Sequence, residues 1–333
     1  MKREEFEAYL KKRGFSEKVV RRSMEAVECF EGWLAGQGKR LECAPVAEIE
    51  AYVRSLVSRK RNSEWRIMAL ARYFYLTGNK PGYIYMASLV GARGILPELE
   101  KRVAKVAGAE AKAMVFYGVK EPPLGTPPEG WPALTKKIVE RLEGLPPEAC
   151  RKALAGNLHR VPASAFAEQK KLFEESKGID DFLERVHARA IAELEEHAKS
   201  GMLWYEQEIT PEVVELVREN QEMLSGVRRG NRIFMTKIPY APKDWLLERD
   251  PVRKRYLACH CPLARESIVS GKDKVPGTWC YCSAGFEKLV LDTVFGEETG
   301  AEVLESVLAG DERCRFAITI PKRFQSQTVS GKK

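Results

Sequence analysis

The sequence predicts an α+β protein: an N-terminal all-α bundle of four to five helices, followed by a mixed helical and antiparallel-sheet domain. Three observations point there. Apolar residues recur at helical spacing through about the first 90 residues. A breaker-rich run, Lys120-Glu121-Pro122-Pro123-Leu124-Gly125-Thr126-Pro127-Pro128-Glu129-Gly130, interrupts the chain. Beyond residue 232 the apolar pattern shortens to short strand-like runs, and five cysteines gather.

The elements follow in order. A first helix is expected over 3–13, closed by Gly14, with Ser16 placed to cap the next by accepting a bond from a free backbone N–H. The second carries Val20, Met24, Val27, Phe30 and Leu34 on one face and stops at Gly36 and Gly38. Pro45 opens a third with Val46, Ile49, Val53 and Leu56 as its stripe. Arg59-Lys60-Arg61-Asn62-Ser63 makes the connection to a fourth, which holds Trp65, Ile67, Leu70, Ala71 and Phe74 and closes at Gly78. Another helix is expected over 97–117, then at 133–143, 147–155, 163–175, 179–199 and 211–223. Strands are expected over 232–240, 256–261, 301–308 and 314–320, with a helix at 283–296. Gly310-Asp311 suits a hairpin loop between the last two strands. The domains are therefore 1–93, a helix and linker over 94–131, an α+β domain over 132–325, and a polar, disordered tail at 326–333.

The chain has 333 residues and a net charge of +8. Up to Arg93 there are 18 Lys/Arg against 11 Asp/Glu, and beyond it 37 against 36. A basic domain on a neutral body suits a polyanionic partner; a solvated helical surface is the alternative. The opening Met1-Lys2-Arg3-Glu4-Glu5 lacks the apolar core of a signal peptide. No stretch approaches the roughly 18 apolar residues of a membrane span. A cytoplasmic protein without a membrane partner is expected, and its eight cysteines are expected to be reduced.

Phe6-Glu7-Ala8-Tyr9-Leu10, Gly14-Phe15-Ser16-Glu17-Lys18, Phe30-Glu31-Gly32-Trp33-Leu34 and Arg66-Ile67-Met68-Ala69-Leu70-Ala71-Arg72-Tyr73-Phe74 together resemble the core-binding (SAM-like) domain of tyrosine recombinases, the phage integrases. The resemblance covers about 85 residues. It implies a clamp on one side of double-stranded DNA, gripping mostly phosphates. The matching positions would be Lys18, Arg21 and Arg22 on the second helix, and Arg59, Lys60, Arg61, Asn62, Ser63 and Arg66 around the start of the fourth. Lys and Arg that neutralise phosphates release counterions, and such contacts position a protein without reading bases. The recombinase reaction is not implied. It needs an Arg, a His-x-x-Arg pair and a Tyr nucleophile, and none of His159, His187, His197 or His260 begins a His-x-x-Arg.

Cys259, Cys261, Cys280, Cys282 and Cys314 fall within 56 residues. On a strand, residues two apart face the same side, so Cys259/Cys261 and Cys280/Cys282 form two pairs that could present four thiolates to one Zn or Fe. A helix starting near Ser283 would favour thiolate at Cys280 and Cys282 through its positive end. A reactive or redox thiol, and plain buried cysteines, remain the other readings. His260, between two paired cysteines, would point away. The block from Leu304 to Ile318, with Cys261-Pro262 and Cys280-Tyr281-Cys282-Ser283-Ala284-Gly285, is similar to 4-vinyl-reductase-type and thiazoline-carboxylate-hydrolase-like domains. That similarity implies an α+β fold and a small-molecule ligand, with hydrolase activity as an alternative; no catalytic residue transfers. Glu193, Glu196 and His197 share a helical face that solvation explains. Trp204 and Tyr205 are core or ligand wall. The expectation that follows is a DNA-binding regulatory or accessory protein with a metal- or small-molecule-sensing domain. A small-molecule enzyme and a metal-stabilised interaction protein are the alternatives.

Overall fold

The computed structural model describes residues 1–41 and 44–325. The tail expected at 326–333 lies outside the described residues. The chain divides into two compact units, α-helical and α+β. The first is Met1–Arg93 with Lys120–Trp131; the second is Gly94–Val119 with the chain from Pro132 onward. The expected helix-plus-linker segment 94–131 is thus shared, its helix belonging to the second unit and its Pro-rich part to the first.

The first unit holds α1 (Arg3–Lys12), α2 (Glu17–Ala35), α3 (Val46–Ser58), α4 (Glu64–Thr77) and α5 (Lys80–Ser88). Its core joins Phe6 and Leu10 of α1 to the stripes read above: Val27, Phe30, Leu34, Ile49, Val53, Ile67 and Leu70 are buried with them. Aromatic edges lock the helices. Phe30 meets Phe74 edge-on at 6.0 Å and Tyr52 at 4.8 Å, and Phe6 meets Tyr73 at 5.3 Å. α5 begins where the Asn79 side chain accepts from the Gly82 N–H and donates to the Ala44 carbonyl. The Pro-rich segment is held rather than free: Asn62 Nδ2 donates to the Leu124 carbonyl at 2.7 Å, and Leu124 packs on the bundle core.

The second unit opens with α6 (Ile95–Phe116), broken at Gly108, whose φ of 90° leaves the helical region. α7 (Pro132–Leu142), α8 (Pro147–Leu154), α9 (Ala167–Glu174), α10 (Ile179–Ser200) and α11 (Pro211–Arg218) follow. Then come β1 (Val227–Arg229), β2 (Arg232–Thr236), α12 (Pro242–Leu247), α13 (Pro251–Ala258), α14 (Glu266–Ser270), α15 (Tyr281–Glu287), α16 (Leu289–Phe295), β3 (Ala301–Glu305), β4 (Arg315–Thr319) and α17 (Lys322–Gln325). The four strands form one antiparallel sheet in the order β1-β2-β4-β3, with Ile233 opposite Ile318 and Ala301 opposite Ile318 on the other side. Ile233, Met235, Phe316 and Ile318 pack with Phe182 and Leu183 of α10 and Leu291 and Phe295 of α16.

Several expected elements differ. The strand expected over 256–261 is the end of α13 and the turn after it. Asp250 caps that helix by accepting from the Arg253 N–H at 2.8 Å, and Pro251 opens it. The expected helix 283–296 is two short helices meeting at Lys288. The strand 232–240 stops at Thr236, and 301–308 stops at Glu305, where the chain turns as Ala309 and Gly310 donate to the Ser306 carbonyl. Helix 211–223 ends at Arg218.

Candidate functional site

The cysteines of the second unit converge, but not as two same-strand pairs. Cys259 sits at the C-terminal end of α13 and Cys261 in the turn beyond. Cys280 closes a 3-10 turn, Gly277–Cys280, and Cys282 lies in the first turn of α15. Cys314 immediately precedes β4. α15 reaches the group because Gly285 lies against the chain after α8: a Cβ there would stand 2.7 Å from the Ala155 carbonyl carbon and 2.8 Å from the Gly156 oxygen.

The sulfurs have distinct partners. Trp279 Nε1 donates to Cys261 Sγ at 3.2 Å. Ser306 Oγ donates to Cys280 Sγ at 2.9 Å. Cys282 Sγ lies 3.9 Å from His159 Nε2. The neighbouring Cys280 holds the Cys314 thiol below its ordinary value, helped by the Val307 N–H and Lys237, while Cys280 itself is raised. Burial pushes Cys259 and Cys282 up, so the thiolate favoured at the helix start by sequence reasoning is not the group the surroundings favour. Burial also raises Cys261, against the Trp279 bond and Lys237.

One cation organises the cluster. Lys237, just past β2, is largely buried; its ammonium lies 3.1 Å from Glu287 Oε1 and 3.1 Å from Ser283 Oγ, and 5.4 Å above the Phe286 ring. Burial opposes its charge, but Glu287, Cys314 and Cys282 outweigh that and raise its pKa. The same burial, with Lys237 nearby, lowers His159 to about 4, so its ring is neutral. His260 is also neutral by burial, with Nε2 2.7 Å from the Ile238 carbonyl.

This arrangement bears on the expected ligand set Cys259, Cys261, Cys280 and Cys282. Among the described residues, no group of three or more His, Cys, Asp or Glu side chains is arranged to hold a metal ion. Trp279 and Ser306 bond two of the expected ligands, Cys261 and Cys280. Sequence spacing pointed to these cysteines and Cys314, but not to Lys237, Ser283, Glu287 or Ser306. Lys237 carries one visible signal, a lone cation in the apolar run from Ile233 to Tyr240. Of the other cysteines, Cys29 is exposed, Cys150 is buried on α8, and Cys43 lies outside the described residues.

In the first unit, the expected DNA-facing residues separate into two sorts. Lys18, Arg21, Arg22, Arg59, Lys60 and Arg61 are exposed. Arg22 of α2 and Arg66 of α4 both lie over the Trp65 ring, at 5.6 and 4.7 Å, and Arg66 Nη1 donates to the Arg61 carbonyl at 2.6 Å. Lys18 stands one turn before Arg22, on the same helix face. Lys60 turns the chain with a φ of 54°. Asn62, by contrast, spends its amide on Leu124, and Arg21 lies 3.9 Å from Glu25. Ser63 precedes α4, its buried hydroxyl without a protein partner.

Glu193 accepts from Trp204 Nε1 at 3.0 Å and His197 Nδ1 lies 3.2 Å from the Met202 carbonyl; with Tyr205 exposed, these residues build a surface turn. No described helix is long and apolar enough to cross a membrane. The model of a family of unknown function (DUF6144) matches residues 234–325, the stretch holding Lys237 and all five clustered cysteines. No curated protein and no solved structure matches the chain.

Proposed function

We propose that the protein is a DNA-associated regulatory or accessory factor. Its helical unit holds duplex DNA through phosphates, and its cysteine-bearing unit carries a ligand-responsive site. The observation that supports this furthest is that Arg22 and Arg66 both lie over Trp65, while Lys18, Arg59, Lys60 and Arg61 are exposed. Exposed cations on neighbouring elements suit a row of phosphates. Recombination is not part of the reading, because the His-x-x-Arg element is missing from the sequence.

Titrating a fluorescent duplex against salt tests it. Affinity is expected to fall log-linearly with salt, with a slope near −0.9 per phosphate contacted. Replacing Arg59, Lys60 and Arg61 together by Ala is expected to flatten that slope by about two to three contacts. No binding to any duplex at low salt ends the reading.

A second reading is a small-molecule enzyme, and one observation favours it: the Cys314 thiol is held below its ordinary value beside Cys280, to which Ser306 donates. In that reading Cys314 is the nucleophile. Turnover of a cyclic carboxylate that disappears in Cys314→Ser, while duplex binding is unchanged, would favour it. Elemental analysis addresses the metal: roughly one zinc or iron per chain, lost in Cys259→Ser or Cys280→Ser, would mean that the thiols regroup around an ion.

A further inference from the structure

The α+β unit also holds a concave feature that none of the thiols lines. It is a cavity of about 450 Å³ walled by α6, α8 and the start of β3. Arg102, Lys105, Arg151, Lys152 and Lys288 line it. Two carboxylates, Glu148 and Glu298, also line it, so positive charge is in excess even when Asp292, paired with Lys288, is counted.

The five cations are not equally committed. Arg102 is a brace: its Nη2 donates to the Lys152 carbonyl at 2.8 Å and to Glu298 Oε1 at 2.7 Å. Gly156 makes room for it, since a Cβ there would overlap the guanidinium. Lys288 is fully buried at the junction of α15 and α16, bonded to Asp292, with Glu298 3.9 Å away. That ammonium forms part of the cleft wall, with its charge already met by Asp292. Lys105, Arg151 and Lys152 are exposed around it. Lys152 pairs with exposed Glu148, at 2.8 Å, a bond that contributes little in water.

We propose that this cleft binds a small multivalent oxyanion of the phosphate class, such as the phosphate group of a metabolite. The volume falls within the range of small-molecule sites, and the concave wall suits a compact ligand better than the extended backbone of a duplex. Arg and Lys side chains lining one cleft can supply the charge-assisted bonds that such an anion needs. The site requires neither the thiols nor the cations of the helical unit.

Calorimetry on the full chain with inorganic pyrophosphate tests the proposal. One saturable site is expected, weakened roughly tenfold or more in Lys105→Ala/Arg151→Ala, whose exposed positions leave the fold intact. The Arg59→Ala/Lys60→Ala/Arg61→Ala variant of the helical unit is expected to bind pyrophosphate as the parent does. Absence of saturable heat at millimolar pyrophosphate overturns the proposal. So does unchanged affinity in the double variant, or loss in the triple variant. Tighter binding of citrate than of pyrophosphate overturns the assignment to the phosphate class.

Discussion

Glu222 is the most heavily bonded carboxylate among the described residues, and nothing in its sequence neighbourhood marks it. Its oxygens accept a two-point grip from Arg315 at 2.6 and 2.8 Å, a bond from Thr236 Oγ1 at 2.9 Å, and lie 3.0 Å from Arg229. The Arg315 bond, with help from Thr236 and Arg229, holds the carboxyl below its ordinary value of 4.5 despite burial. A depressed carboxylate stabilises the fold above its unfolded value, and that contribution is lost as pH falls through the folded one. Glu222→Gln is therefore expected to lower the unfolding free energy of the second unit by about 3 kcal/mol near neutral pH. Urea melts of both proteins should converge as pH drops well below 4.5; a difference that persists in acid would contradict the assignment. The cysteines show the same limit of sequence reading. Their clustering was visible in the spacing, whereas their partition was not. Which sulfur meets which depends in part on Ser306 and Trp279, whose contacts with Cys280 and Cys261 span 26 and 18 residues of chain.

Among the elements, the first four helices were legible to within a residue or two, because one buried stripe per helix leaves a clean 3.6-residue period, whereas α5 over Lys80–Ser88 was not placed. The elements around the cysteines were harder. Residues 256–261 read as a strand from their apolar content, yet Asp250 and Pro251 already supplied a helix cap and first position. Two helices merged into one over 283–296 because Lys288 breaks the run without a Gly or Pro to announce it. Close packing carries predictions here. Gly285→Ala places a methyl against the backbone of Ala155 and Gly156, where no side chain can yield. It is expected to cost about 2 kcal/mol or more, read as a lower melting temperature. An unchanged melting temperature would show that α15 does not need this approach. Asn62→Ala removes the amide that holds the Leu124 carbonyl and is expected to cost about 1 kcal/mol in the first unit. The same variant should speed proteolysis of the segment 120–131, and equal rates would show that this bond does not retain it.

Across the whole chain, the asymmetry of charge and the division into a helical and a mixed unit are both legible in the sequence, because composition and period change together near the Pro-rich run. What composition could not show is that the run returns to the first unit after α6 has joined the second. The chain passes between the units three times, near residues 93, 119 and 131. One peptide-bond cleavage at any of those crossings therefore cannot liberate a whole unit. A nick near residue 119 would leave α6 joined by peptide bonds to the bundle while packed in the other unit. Each fragment would keep a piece that the other half needs, so the halves should stay associated under native conditions and part only in denaturant.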